Sequence, residues 1–206
     1  RIRTSFDIDR NGVLNNAELE AATIIDVRNS NISSLKGIEY FTSLQRLYCQ
    51  TNNLVSLDVS KNTKLTRLLC GVNMLTELDV SHNPKLTTLN FFGDQITSID
   101  LTNNTELVLL NCSDNELTEL DLSNCKELKN LYCDNNDLEI LDVSNCSKLL
   151  YLQCINNKLT SLNVNNILTL SSINACTVLE KLYCYNNNLE VLDVSTCTRL
   201  QVLSCA

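Results

Sequence analysis

The chain has 206 residues, 44% of them hydrophobic, which is enough for a continuous core, and a formal net charge of -8. Its 16 Lys and Arg are scattered singly; counterion release from a phosphate backbone needs clustered cations, so nucleic acid is not an expected partner. No apolar run approaches the roughly 18 residues of a membrane span, so no membrane insertion is expected, and the N-terminal RIRTSF lacks the apolar core of an export signal, which would have been removed before this chain begins.

The first predicted unit is an N-terminal cap over residues 1–22. Residues 7–18, DIDRNGVLNNAE, carry the spacing D-x-D-x-N-G-x5-E of an EF-hand loop. Asp7, Asp9 and Asn11 would supply side-chain oxygens, Val13 its carbonyl, Asn15 a direct or water-mediated contact and Glu18 a bidentate carboxylate, while Gly12 permits the sharp turn. Hard oxygen ligands at this spacing suit calcium better than a transition metal. Such loops usually pair, however, and a single one here has only RIRTSF from which to build an entering helix. The alternative is an Asp/Asn-rich turn that merely starts the helix ELEAAT. A lone calcium site would act as a structural clamp rather than a sensor.

Residues 23–43 form a degenerate 22-residue repeat, with Ile25, Val27, Ile32, Leu35, Ile38 and Phe41 at the apolar positions and Ser30 where an Asn would stand. From Leu44 the period is 21. Coils begin at Leu44, Leu65, Leu86, Leu107, Leu128, Leu149 and Leu179, and an eighth starts at Leu200. A fixed period of this length signals stacked units that bury an apolar face only against their neighbours, so residues 44–206 are expected to be one solenoid.

Each coil opens as L-x-x-L-x-C-x-x-N-x-L, with Asn52, Asn73, Asn115, Asn136, Asn157 and Asn187 in one column and Asp94 standing in once. The 29 Asn, against four Gly and one Pro, identify the turn-builder: a buried amide can bond the backbone of its own coil and of the next. The second half echoes the first, with Val59 on Cys49 and Asn62 on Asn52. Both halves are expected to make short parallel strands, with little helix outside the cap.

Of the eleven Cys, Cys49, Cys70, Cys112, Cys133, Cys154, Cys184 and Cys205 share an inward strand column that Phe91 fills in the third coil. Cys125, Cys146, Cys176 and Cys197 take over the second turn column from Asn62, Asn83 and Asn104. Parallel strands about 4.8 Å apart offer poor disulfide geometry, so buried free thiols are expected. The competing arrangement is a set of C-x7-C disulfides in an oxidising compartment; zinc is disfavoured, since no C-x-x-C occurs and His82 is the single histidine.

The residues flanking the inward Leu and Cys should face outward in three columns: Arg46 to Lys181, Tyr48 to Tyr183, and Gln50 to Tyr185. Tyr48, Phe92, Tyr132, Tyr151, Tyr183 and Tyr185 fall there and form the candidate ligand face, because tyrosine combines contact area with a hydroxyl at small entropic cost. Aromatic pairs also stabilise sheets without any ligand. On the opposite side, Asp58, Asp79, Asp100, Asp121, Asp142, Asn163 and Asp193 form a column whose carboxylates must accept local hydrogen bonds, with Ser60, Ser81, Thr102, Ser123, Ser144 and Ser195 as the nearby donors, or attract cations. The sixth coil is nine residues too long, which places an insertion near 163–174.

The L-x-x-L-x-C-x-x-N-x-L signature followed by L-x-x-L-D resembles the leucine-rich repeats of bacterial surface proteins, specifically the nested 21-residue class called IRREKO, and residues 23–43 are similar to the repeats of internalin-like proteins. The resemblance implies a leucine-rich-repeat solenoid in a secreted or cell-surface bacterial protein that binds a protein or glycan through its sheet. A Ser-His-Asp or Cys-His mechanism has almost no raw material with one histidine, so no enzyme is expected. The alternative is a structural spacer displaying another domain. An uncapped last coil would also offer a route to end-to-end self-association.

Overall fold

The computed structural model describes residues 8, 10–164 and 178–205. Asp7, Asp9, Cys176 and nearly all of the expected insertion lie outside the described residues.

Among the described residues the first element is a short helix α1, Asn16–Ala21. Among the described residues, nine three-residue strands then stack into one parallel sheet in the order β1, β2, β3, β4, β5, β6, β8, β10, β11. They are β1 Ile24–Asp26, β2 Arg46–Tyr48, β3 Arg67–Leu69, β4 Thr88–Asn90, β5 Leu109–Asn111, β6 Asn130–Tyr132, β8 Tyr151–Gln153, β10 Lys181–Tyr183 and β11 Val202–Ser204. The register is unslipped, pairing Leu47 with Leu68, Leu68 with Leu89, and so on to Leu182 with Leu203. The central leucines from Leu47 to Leu182 are 0% exposed. Each coil therefore closes its neighbour's core, as a solenoid requires.

The second halves depart from expectation. Among the described residues they form strands only at β7 Ile140–Asp142 and β9 Ser161–Asn163, which pair with each other. Asp58, Asp79, Asp100, Asp121, Asp142 and Asp193 each accept the backbone N–H two residues ahead, from Ser60, Ser81, Thr102, Ser123, Ser144 and Ser195 at 2.8–2.9 Å. These Asx turns close the second halves whether or not they pair, since Asp142 is also the last residue of β7.

Two turn columns hold the coils together by different chemistry. In the first, Asn115 donates from Nδ2 to the carbonyls of Phe91 (2.9 Å) and Cys112 (3.2 Å), and its Oδ1 accepts the Ile96 N–H at 3.0 Å. Asn136 and Asn157 repeat this with Leu117 and Leu138 as donors. In the second, the buried Asn62, Asn83 and Asn104 donate to two carbonyls each, but their Oδ1 atoms have no partner. Cysteine succeeds asparagine only in that second column, at Cys125, Cys146 and Cys197. A thiol keeps one weak donor and strands no acceptor.

Among the described residues the ten cysteines, nine of them buried, form no disulfide with one another, so the C-x7-C bridges do not form there. The strand-column thiols donate along the stack: Cys70 to the Asn90 carbonyl at 3.6 Å, and Cys112, Cys133 and Cys154 to those of Tyr132, Gln153 and Tyr183 at 3.5 Å. Desolvation raises Cys49 and Cys184 to about 12 and Cys125 to about 11.

Immediately after the strand column the backbone turns through the left-handed region at Thr51, Val72, Gly93, Asp114, Asn135, Asn156 and Asn186. The last four form an exposed amide chain, with Asn186 donating to Asn156 (2.7 Å), Asn156 to Asn135 (2.6 Å) and Asn135 to the Asp114 carboxylate (2.8 Å). One glycine is required by close approach: a Cβ on Gly71 would lie 2.4 Å from the Phe92 carbonyl oxygen.

Candidate functional site

Three of the six aromatic candidates meet. Tyr132, Tyr151 and Tyr183, on β6, β8 and β10, form a row with ring centroids 4.9 and 5.6 Å apart and planes tilted by 37° and 36°. The row arises because Tyr151 sits two residues before the register position that holds Tyr132 and Tyr183, on the same face, so its ring fits diagonally between theirs. Burial first, then the neighbouring Tyr132 and Tyr183, raise the Tyr151 phenol above its ordinary value.

Beneath the row runs a polar relay. The Tyr151 hydroxyl donates to Gln153 Oε1 at 2.6 Å, Gln153 Nε2 donates to Asp134 Oδ2 at 2.6 Å, and Asp134 Oδ1 accepts the Ile155 N–H at 2.7 Å. The Tyr151 proton is thereby committed inward, which leaves the hydroxyl oxygen to accept from outside. Desolvation raises the Asp134 carboxyl above its ordinary value. Gln153 and Asp134 were visible as column members; their role was hidden because it depends on contacts two and nineteen residues apart.

The other candidates lie apart. Tyr48 is at the N-terminal end of the sheet under Arg28, whose guanidinium carbon is 5.5 Å from the ring centroid. Phe92 projects from the third coil, 38% exposed. Tyr185 is partly buried at the rim beyond Cys184. The third outward column needs correction: Gly71, Ser113, Asp134 and Ile155 are buried, because the chain is already turning at these positions and the next coil covers them. The open face is thus the two columns on the strands themselves.

On the opposite side, Asp58, Asp79 and Asp100 with Ser56, Glu77 and Ser98 line a shallow trough of about 850 Å³. Hydrogen bonds from Ser60, Ser81, Thr102 and Ser123 hold Asp58, Asp79, Asp100 and Asp121 below the usual carboxylate range. Next to it, Ser81 Oγ lies 3.0 Å from His82 Nδ1, but Asp79 takes the Ser81 N–H. A relay needs the carboxylate on the imidazole, so the three do not form one.

In the cap, Gly12 has the positive φ (83°) that the loop spacing asks for. Asn11 Oδ1 accepts the Val13 N–H at 2.8 Å. Glu18, expected as a bidentate ligand, is 5% exposed and folds back over the loop, accepting the N–H groups of Ile8 (2.6 Å) and Asn15 (3.0 Å). Asn15 Oδ1 accepts the Glu18 N–H in return, so the pair also forms a capping box for α1. The loop closes on its last acidic residue, while Asp7 and Asp9 lie outside the described residues.

Comparison with known proteins places this architecture. The LVIVD repeat family matches residues 132–153. Over 62 residues the chain is 36% identical to Internalin J of Listeria monocytogenes serotype 4b, an alignment spanning 30% of this chain and 7% of that protein. Among solved structures, the functional domain of InlJ from Listeria monocytogenes, described as including a cysteine ladder, superposes with a TM-score of 0.86 at 38% identity, covering 93% of this chain and 41% of that one. The internalin InlF from the same species superposes at 0.64 with 24% identity, covering 99% of this chain and 73% of its own, which shows the fold alone. The fold is a leucine-rich-repeat solenoid, similar to bacterial internalins, and the chain spans less than half of the InlJ structure it matches best in sequence among these.

Proposed function

We propose that this chain is a non-catalytic recognition module of a secreted or cell-surface bacterial protein, holding a protein or glycan ligand against its nine-stranded sheet. The observation that carries the reading is the Tyr132–Tyr151–Tyr183 row, rigid through stacking and through the Gln153–Asp134 relay, on the open face of the sheet. Rigid aromatic anchors bind with little ordering cost. Similarity to internalins supports the same direction. Screening protein and glycan arrays with the wild-type chain and with a Tyr132→Ala/Tyr151→Ala/Tyr183→Ala variant tests it. The expected result is a ligand whose binding falls at least about tenfold in the variant, with unchanged circular dichroism. A ligand held equally by both removes the row from the site, and a chain that captures nothing supports the spacer.

Calcium in the cap is the second part of the reading. The loop spacing, the positive φ at Gly12 and the inward Glu18 support it, with Asp7, Asp9, Asn11, Asn15 and Glu18 offering side-chain oxygens and Val13 its carbonyl. Glu18→Gln separates the roles, because glutamine retains a capping box and loses the bidentate carboxylate. Titration calorimetry on chelator-treated protein should show one calcium bound by the wild type and none by the variant; no calcium-dependent heat in the wild type would remove the site.

A further inference from the structure

The first turn column contains one exception, and its atoms are not interchangeable with those they replace. In the asparagine coils on either side, Nδ2 donates to the carbonyl three residues back and to the one 24 residues back: Asn73 to Cys70 (2.6 Å) and Cys49 (3.2 Å), Asn115 to Cys112 (3.2 Å) and Phe91 (2.9 Å). Asp94 keeps the acceptor half of the pattern. Its Oδ1 takes the N–H groups of Asn73 and Leu75, both at 3.1 Å. The donor half is gone: Oδ2 occupies the remaining branch, buried and without a hydrogen-bond partner.

By register, Oδ2 stands where an amide would serve the carbonyls of Phe91 and Cys70. An ionised carboxylate there would set a second lone-pair oxygen against carbonyl oxygens, in a site only 8% exposed. A carboxylic acid would donate its proton to one of them and restore most of the ladder. The ionisable groups coupled to Asp94 among the described residues are the Cys49 and Cys70 thiols, both held neutral by burial, and no cation acts on it.

We propose that Asp94 carries a proton in the folded solenoid and makes the third coil a pH-sensitive joint, its rung of the ladder closed by one donated bond in mildly acidic surroundings and open in neutral ones. Desolvation, opposed by the bonds from Leu75 and Asn73, raises the carboxyl to about 6, in the same direction. Since the folded value lies above the unfolded one, the folded state binds the extra proton. Stability is full below about pH 4 with respect to this group and is lost as pH rises through 6. The joint lies under an exposed apolar rim, Val72, Met74 and Phe92, which it would loosen as it ionises.

The test is urea unfolding from pH 4 to 8 of the wild type and Asp94→Asn. Between these limits the wild-type unfolding constant should rise about a hundredfold relative to that of the variant, whose profile lacks the step near pH 6. Parallel profiles would overturn the proposal. Independently of any variant, the Asp94 carboxyl carbon resonance should titrate near pH 6, and a midpoint below 4 would overturn it equally. Amide exchange at Asn73 and Leu75, corrected for intrinsic rates, should quicken above pH 6; protection that does not change with pH would count against the joint.

Discussion

Two buried asparagines in adjacent coils, Asn104 and Asn115, should respond very differently to the same loss. Asn104→Ala removes two donated bonds, to Val80 (3.1 Å) and Asn83 (3.0 Å). Both carbonyls keep a backbone donor, from Asn83 and Leu86 respectively, and the unpaired Oδ1 disappears with the side chain. Asn115→Ala instead strands the Ile96 N–H, whose acceptor is Asn115 Oδ1, and strips Phe91 of its donor. A buried donor left unmade costs about 1–3 kcal/mol and each exchanged bond about 1 kcal/mol. The expected losses are therefore about 1–2 kcal/mol at Asn104 and about 3–4 kcal/mol at Asn115, before a similar cavity contribution to both. Asn104→Cys, the residue that the next coil carries as Cys125, should fall within about 1 kcal/mol of wild type, while Asn115→Cys should not. Guanidinium unfolding followed by circular dichroism measures all four. Equal losses at Asn104 and Asn115 would refute the division of labour between the columns.

Val72 holds a β-branched side chain at φ 56°, so Val72→Asn should raise stability by about 1 kcal/mol, read as a higher denaturation midpoint. Acid should weaken the aspartate column: Asp58, Asp79, Asp100 and Asp121 lie below the unfolded carboxylate value, so their contribution is present above about pH 4 and lost as pH falls through their folded values. Melting temperatures should drop below pH 4, and less steeply in Asp79→Asn. Native labelling with a maleimide, located by peptide mass mapping, should reach the exposed Cys205 quickly and the nine buried thiols only on unfolding.

The repeat made the solenoid legible because a 21-residue period admits one stacking, and the inward Leu and Cys columns fell where the period put them. Strand content in the second halves was not legible: Leu57, Asp58 and Val59 alternate as Leu141, Asp142 and Val143 do, and both aspartates close an Asx turn, yet only the later segment belongs to a strand. The tyrosine row was half legible: the aromatic residues were visible on the strand face, whereas the choice of Tyr132, Tyr151 and Tyr183 depends on a diagonal contact between coils. The relay through Gln153 to Asp134 carries no motif at all.

The distribution of departures along the stack bears on how the face is kept rigid. Phe91 in the cysteine column, Gly93 at the left-handed turn and Asp94 in the asparagine column all belong to the third coil, with Gly71 in the coil before it making room for Phe92. From Asn115 to Asn187 the first ladder is unbroken, and the exposed chain from Asn186 to Asp114 runs beside it. Stability in a stacked repeat is a sum of coil and nearest-neighbour contributions, so a weak joint is felt locally. The tyrosine row lies in the fifth, sixth and seventh coils, inside the unbroken stretch and two coils from Asp94. Ionisation of Asp94 would accordingly loosen the third coil and its apolar rim while leaving the geometry of the row intact, so that the pH response and the ligand face can be measured separately in one molecule.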